Sequence, residues 1–209
     1  MGLRDGSAAR SDSPDRVAER ERIVEAGYRL LAESDGAAVG ITDVLTGAGI
    51  STRAFYRHFD SKDALLLAMF RSDSERVLAD LRAAADRAAT ARDALHGWIT
   101  TMLRTAAEPR RRERALVLTS DEVTRAKGFR AERERYQAGQ DSALAELLRR
   151  GLADGSLPGA DPEADAPLVR AAFTEGFAMV MAGPAGVDVG PVAERVVSFV
   201  DRALRTRHL

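Results

Sequence analysis

A chain of 209 residues is long enough for one good-sized core, or for a small domain joined to a larger one. It contains no cysteine, which excludes structural disulfides, thiolate metal sites and cysteine nucleophiles. The formal net charge of −1 does not advertise a nucleic-acid partner, so any such role must rest on a local patch.

Residues 1–13 are mostly Gly, Ser, Ala, Asp and Arg and read as a disordered tail without the apolar core of a signal peptide. No run approaches the length needed to span a bilayer, so a cytoplasmic location with no membrane partner is expected. Ser13 is a candidate N-cap, with Pro14 at the first helical position. Ile23, Ala26, Leu30 and Leu31 then form an apolar stripe at helical spacing, and Asp35-Gly36 ends that helix. A second helix carries Ile41, Val44, Leu45 and Ala48. Gly49 can adopt positive φ and terminate it, and Ser51 can cap a third helix.

On that third helix Phe55 and Phe59 share one face and can enter a core, while Arg53 and Arg57 share roughly the opposite face. Tyr56, His58 and Lys62 add phosphate-capable donors, and Asp60 or Ser61 caps the next helix from near Lys62. Two helices joined by so short a link read as a helix-turn-helix, whose second helix enters a major groove.

Beyond it, the pattern predicts a helix from Lys62 through Val77, Leu78 and Leu81 to near Ala89. The next carries Leu95, Trp98, Ile99, Met102 and Ala106 at regular spacing and closes at Glu108-Pro109. Residues 110–126 and 128–152 give two more helices, followed by a turn-rich loop over 154–162. A penultimate helix starts between Pro162 and Pro167 and stops at Gly183-Pro184. A final helix from Pro191 carries Val192, Val196, Phe199, Val200 and Leu204. No strand pattern or repeat is present, and the expected fold is all-α.

The run Arg22-Ile23-Val24-Glu25-Ala26-Gly27, then Leu30-Leu31, Gly36, Val44, Ala48-Gly49-Ile50-Ser51, Phe55-Tyr56-Arg57-His58-Phe59 and Ser61-Lys62-Asp63-Ala64-Leu65-Leu66 resembles the N-terminal domain of a TetR-family transcriptional regulator. The resemblance covers about the first third of the chain. It implies a DNA-binding domain over 14–62 and a helical ligand-binding and dimerisation domain over 63–209. Two departures are visible. Gly40 stands where the family usually has a Ser or Thr cap, and Leu45 replaces a small residue at the helix crossing.

The resemblance also implies roles. Tyr56, His58 and Lys62 fall on positions that hold the DNA backbone. Thr52, Arg53 and Ala54 fall on positions that approach base edges, and Thr42 falls on a further contacting position. Arg57 joins this set by its place on the basic face. An Arg can read guanine bidentately, whereas Lys and Tyr mostly position the protein on phosphates. The implied partners are a palindromic double-stranded operator, a second copy of the chain and a small apolar or amphipathic effector. The expected function is that of an effector-released repressor.

The two C-terminal helices are unusually apolar. Phe173, Gly176, Val180, Val196, Phe199 and Val200 are candidates for a four-helix dimer interface, which the resemblance implies. The bland alternative makes that stripe the core of the monomer. Trp98, Met102, Tyr136, Phe173 and Phe177 are candidates for an effector pocket, although aromatic and Met residues at helical spacing are more often plain core. His96 reads as a surface or core-edge histidine, and Arg110, Arg111, Arg112 and Arg114 as a solvated charge run. Glu21, Glu25, Glu132 and Glu134 read as ion-pair partners of nearby arginines. No metalloprotease, phosphate-loop or nucleophile-elbow motif is present, so no catalytic residue, metal or cofactor is expected. The competing reading is a helical adaptor that binds a protein through its C-terminal helices, which leaves the Tyr56-to-Lys62 pattern without purpose.

Overall fold

The computed structural model describes residues 14–34 and 39–205. The expected tail over 1–13, the Ser13 cap and the Asp35-Gly36 helix stop lie outside the described residues. Ten helices form among the described residues, with no strand. They are α1 (Pro14–Glu33), α2 (Ile41–Ala48), α3 (Thr52–His58), α4 (Lys62–Arg87), α5 (Ala91–Ala107), α6 (Pro109–Thr119), α7 (Asp121–Thr124), α8 (Phe129–Ala153), α9 (Pro162–Ala182) and α10 (Gly190–Ala203).

Local chemistry sets the ends of the first elements. Gly49 ends α2 in the left-handed region, at φ 65°. Ser51 caps α3 by accepting the Ala54 N–H at 3.2 Å, and Ser61 caps α4 by accepting the Ala64 N–H at 3.1 Å. At the start of α2, Gly40 offers no hydroxyl. The Asp43 carboxylate instead reaches back to accept the Gly40 N–H at 2.8 Å, which supplies half of a capping box. Leu45 is half-buried, and the tight crossing of α2 on α1 is made at Gly47. A Cβ there would meet Leu30 Cδ1 at 3.2 Å, and Arg29 donates to the Gly47 carbonyl at 2.8 Å.

Two hydrophobic cores result. The N-terminal core gathers Ile23, Tyr28, Val44, Phe55, Phe59, Leu65, Leu66 and Met69, and continues through Val117, Leu118, Val123 and Phe129. It therefore runs past residue 62 and includes parts of α4, α6, α7 and α8. The second core gathers Leu81, Leu95, Trp98, Ile99, Leu103, Leu144, Leu148, Phe173, Val196 and Val200. The helix expected over 110–126 breaks at Ser120, where ψ is 155°. An unbroken helix at 100° per residue would aim Val123 well away from Leu118. The break turns both into the same core.

The apolar stripe of α9 and α10 faces inward. Phe173, Gly176, Val180, Val196 and Val200 are all buried within the single chain. Gly176 does permit a close approach, but to α10 of the same chain, since a Cβ on it would meet Val196 Cγ2 at 2.7 Å. These five residues are buried in the protomer's own core. Phe199 is the exception, at 54% exposed, and Leu168 and Met179 share the outer surface of this helix pair.

Candidate nucleic-acid interface

The α2–α3 unit presents a small exposed set. Phe55 and Phe59 are buried with ring centroids 5.7 Å apart, so the opposite side of α3 turns to solvent. Thr42 of α2 and Thr52, Arg53 and Tyr56 of α3 are exposed. Tyr56 stands edge-on to Phe55, which fixes its ring while its hydroxyl end stays in water. Arg53 forms no ion pair among the described residues.

Ala54, Arg57, His58 and Lys62 each have neighbours within the chain. Ala54 is 7% exposed and packs inward. The His58 side chain is 2% exposed, and its Nε2 lies 2.7 Å from Glu19 Oε2 on α1. It faces α1. The same Glu19 oxygen accepts from Arg57 Nη2 at 2.5 Å, and Arg16 donates to the Arg57 carbonyl at 3.4 Å. Hydrogen bonds from His58 first, and from Arg57 next, hold the Glu19 carboxyl below its usual range. Lys62 is half-buried and ion-paired with Glu122 on α7. Beside it, Asp63 accepts the Lys127 N–H at 3.2 Å.

α6 ties this unit to the rest of the chain. Arg114 stacks over Tyr28 at 4.3 Å and pairs with Glu25 of α1. Tyr28 donates to the Met69 carbonyl at 3.1 Å and lies 2.9 Å from Asp73 of α4. Arg112 donates to the carbonyls of Val180, Met181 and Gly183 at 3.1, 2.6 and 2.7 Å. The expected solvated run thus holds two placed arginines. Arg112 reaches the carbonyls of Met181 and Gly183 past the end of the α9 ladder and shares the Val180 carbonyl with the Gly183 N–H.

The expected pocket residues do not all meet. Trp98 and Phe173 pack with centroids 4.8 Å apart, and Met102 and Phe177 belong to the same C-terminal core. Tyr136 packs instead on Phe70, with centroids 6.0 Å apart, beside the N-terminal core. The indole N–H of Trp98 is buried with no partner among the described residues. His96 lies at the core edge, 2.8 Å from Asp201.

Residues 23–69 match the profile of the bacterial regulatory proteins of the tetR family. The match covers the N-terminal helices, from within α1 into α4, and less than half of the chain. The chain is 47% identical over 49 residues to the uncharacterized HTH-type transcriptional regulator YerO of Bacillus subtilis, covering 23% of this chain and 17% of that relative. The chain thus spans under a fifth of YerO's length.

The whole fold has solved counterparts. The fatty acid degradation regulator FadR from Bacillus halodurans aligns at TM-score 0.75 and 17% identity, covering 94% of this chain and 100% of that one. FadR from Bacillus subtilis, in complex with stearoyl-CoA, aligns at TM-score 0.73 and 17% identity, covering 88% and 98%. At these identities the likeness establishes the fold alone: an N-terminal helix-turn-helix unit followed by a helical C-terminal domain.

Glu19, Glu122 and Arg112 were not singled out from the sequence as site residues. Their partners lie in distant segments, and no local spacing marks the pairs.

Proposed function

We propose that this chain is a sequence-specific DNA-binding transcriptional regulator that acts as a homodimer, and that it is a repressor released from a palindromic operator by a small apolar or amphipathic effector. The observation that carries the reading is the α2–α3 unit, with Thr42, Thr52, Arg53 and Tyr56 exposed while Phe55 and Phe59 are anchored in the core. Arg53 sits in the first turn of α3, where a recognition helix meets base edges. Thr52 flanks it. Tyr56 and Lys62 supply the phosphate grip, with Lys62 at the first position of α4.

Two recognition helices must sit roughly 34–36 Å apart to read half-sites one turn apart, which calls for a two-fold partner. The outer faces of α9 and α10, with Leu168, Met179 and Phe199, offer an apolar surface for it. For the effector, support comes from the Trp98–Phe173 region, where a buried indole N–H lacks an acceptor among the described residues. That the similarly folded FadR from Bacillus subtilis is seen with stearoyl-CoA favours an amphipathic ligand carrying carbonyls. An adaptor function would leave the exposed Thr52-to-Tyr56 set unused.

A mobility-shift titration on the DNA flanking the gene for this chain tests the proposal. Binding should saturate at low protein concentration and weaken steeply as salt rises from about 50 to 200 mM. Absence of any salt-dependent shift, on this or on mixed-sequence duplex, would sink it.

A further inference from the structure

Lys62 is in an unusual position for a phosphate-gripping residue, because its ammonium is already held by a carboxylate. Glu122 Oε1 pairs with Lys62 Nζ, and the two side chains are 26% and 27% exposed. The pairing is reinforced on both sides. Val123, next to Glu122, is fully buried in the N-terminal core and fixes the orientation of α7. Asp63, next to Lys62, accepts the Lys127 N–H just beyond α7. Arg125, the nearest cation in sequence to Glu122, is engaged by Asp121 at 2.7 Å.

We infer that Glu122 is a latch on the DNA grip: it holds the Lys62 ammonium on α7 in the free protein and competes with DNA phosphate for it. The inference rests on the DNA-binding reading proposed above and concerns the regulation of that same site. An ammonium has three donors, so it could in principle touch carboxylate and phosphate together. That arrangement brings two anions within one ammonium's width, and like charges at that separation repel. Either Lys62 leaves Glu122, or Glu122 opposes the phosphate. In both cases the carboxylate lowers DNA affinity. Partly exposed ion pairs are weak, so the latch is worth about two- to fivefold and yields to DNA.

The latch is joined to the C-terminal domain. α7 follows α6 through Ser120 alone, and Arg112 of α6 holds the carbonyls at the end of α9. A shift of that end of α9 therefore has a direct path of hydrogen bonds and one helix to the carboxylate that restrains Lys62.

The test compares the full-length wild type with E122Q, K62A and the double variant, each checked for an unchanged thermal melt. The probe is a labelled mixed-sequence duplex read by fluorescence anisotropy at low salt. E122Q should bind about two- to fivefold more tightly than wild type, and that gain should vanish when Lys62 is absent. A gain of equal size in the K62A background would mean that Glu122 acts as a general surface charge, and would overturn the latch. Unchanged or weaker binding by E122Q would overturn it as well.

A second readout needs no DNA. Lys62 and Lys127 are the only lysines in the chain, so reductive methylation with 13C-formaldehyde gives two lysine signals, and methylation keeps the charge. E122Q should move the Lys62 signal and leave that of Lys127 in place. A stationary Lys62 signal means the pair does not form in solution, which refutes the latch. If the Lys62 signal moves but wild type binds no DNA at any salt, the DNA-binding reading has failed, and the latch falls with it for want of a site to regulate.

Discussion

His58 Nε2 lies 2.7 Å from Glu19 Oε2, with the imidazole side chain 2% exposed, so the end of α3 is fastened to α1 by a buried polar contact. The Glu19 carboxyl is held below its usual range in the fold and returns to its ordinary value when unfolded. Below its ordinary value the unfolded chain therefore takes up a proton that the folded chain resists. The stabilisation is complete above the ordinary carboxylate range and is lost as pH falls through the lowered folded value. Glu19→Gln should thus lower the urea midpoint near neutral pH, and the gap to wild type should close on acidification. A gap independent of pH would show that the carboxylate charge is not what matters.

Arg53 leads to a prediction about sequence preference. It is exposed in the first turn of α3 and forms no ion pair among the described residues, so its guanidinium is available to a guanine edge. Arg53→Ala should cost about 1–3 kcal/mol on the preferred site and relax selection at one base position per half-site. A randomised-duplex selection that returned the wild-type consensus would remove Arg53 from the readers.

Phe199 and Val200 are neighbours with opposite surroundings, one 54% exposed and the other 1%. Phe199→Asp should leave the helical content intact and convert dimers to monomers in sedimentation equilibrium. Val200→Asp should instead unfold the C-terminal core, because it buries an unpaired charge. A dimer that survives Phe199→Asp would move the interface off this face.

Gly176 and Val196 form the tightest crossing of α9 and α10. Gly176→Ala should destabilise the chain by about 1–3 kcal/mol through overpacking, with Val196 forced to shift. Val196→Ala in the same chain should recover part of that loss, which a double-mutant cycle in urea would measure. Independent, additive effects would mean that the two side chains do not meet.

The features that could be read in advance were those whose cause lies within a few residues. Gly49 at positive φ, the Ser51 and Ser61 caps and the Phe55–Phe59 anchor each depend on one turn of chain. Helix periodicity also located Trp98, Ile99 and Met102 correctly in a core. What periodicity lacks is the identity of the opposing surface. The stripe of Phe173, Gly176 and Val180 reads the same whether it meets a second subunit or α10 of its own chain, and it meets α10 and α5. Likewise, a basic residue on a short helix looks free until its partner is located. The partners of His58, Lys62 and Arg112 come from α1, α7 and α9, and no spacing in the sequence links them.

The consequence for Arg112 can be measured. Its neighbour Arg111 donates a backbone N–H to Glu108 at 2.8 Å, and among the described residues its side chain reaches only Thr105, at 3.3 Å on an exposed surface. Arg112 instead gives its guanidinium to three carbonyls that close α9. Hydrogen bonds from a charged donor are worth about 1.5–3 kcal/mol, and water can reach part of this site once the side chain is gone. Arg112→Ala should therefore cost about 1–3 kcal/mol, which for a chain of this size lowers the melting temperature by roughly 2–4 °C per kcal/mol. Arg111→Ala should lie within about 0.5 kcal/mol of wild type, as expected for a surface substitution. Equal melting temperatures for the two variants would mean that the run Arg110–Arg114 is solvated after all, and that α6 does not hold the end of α9.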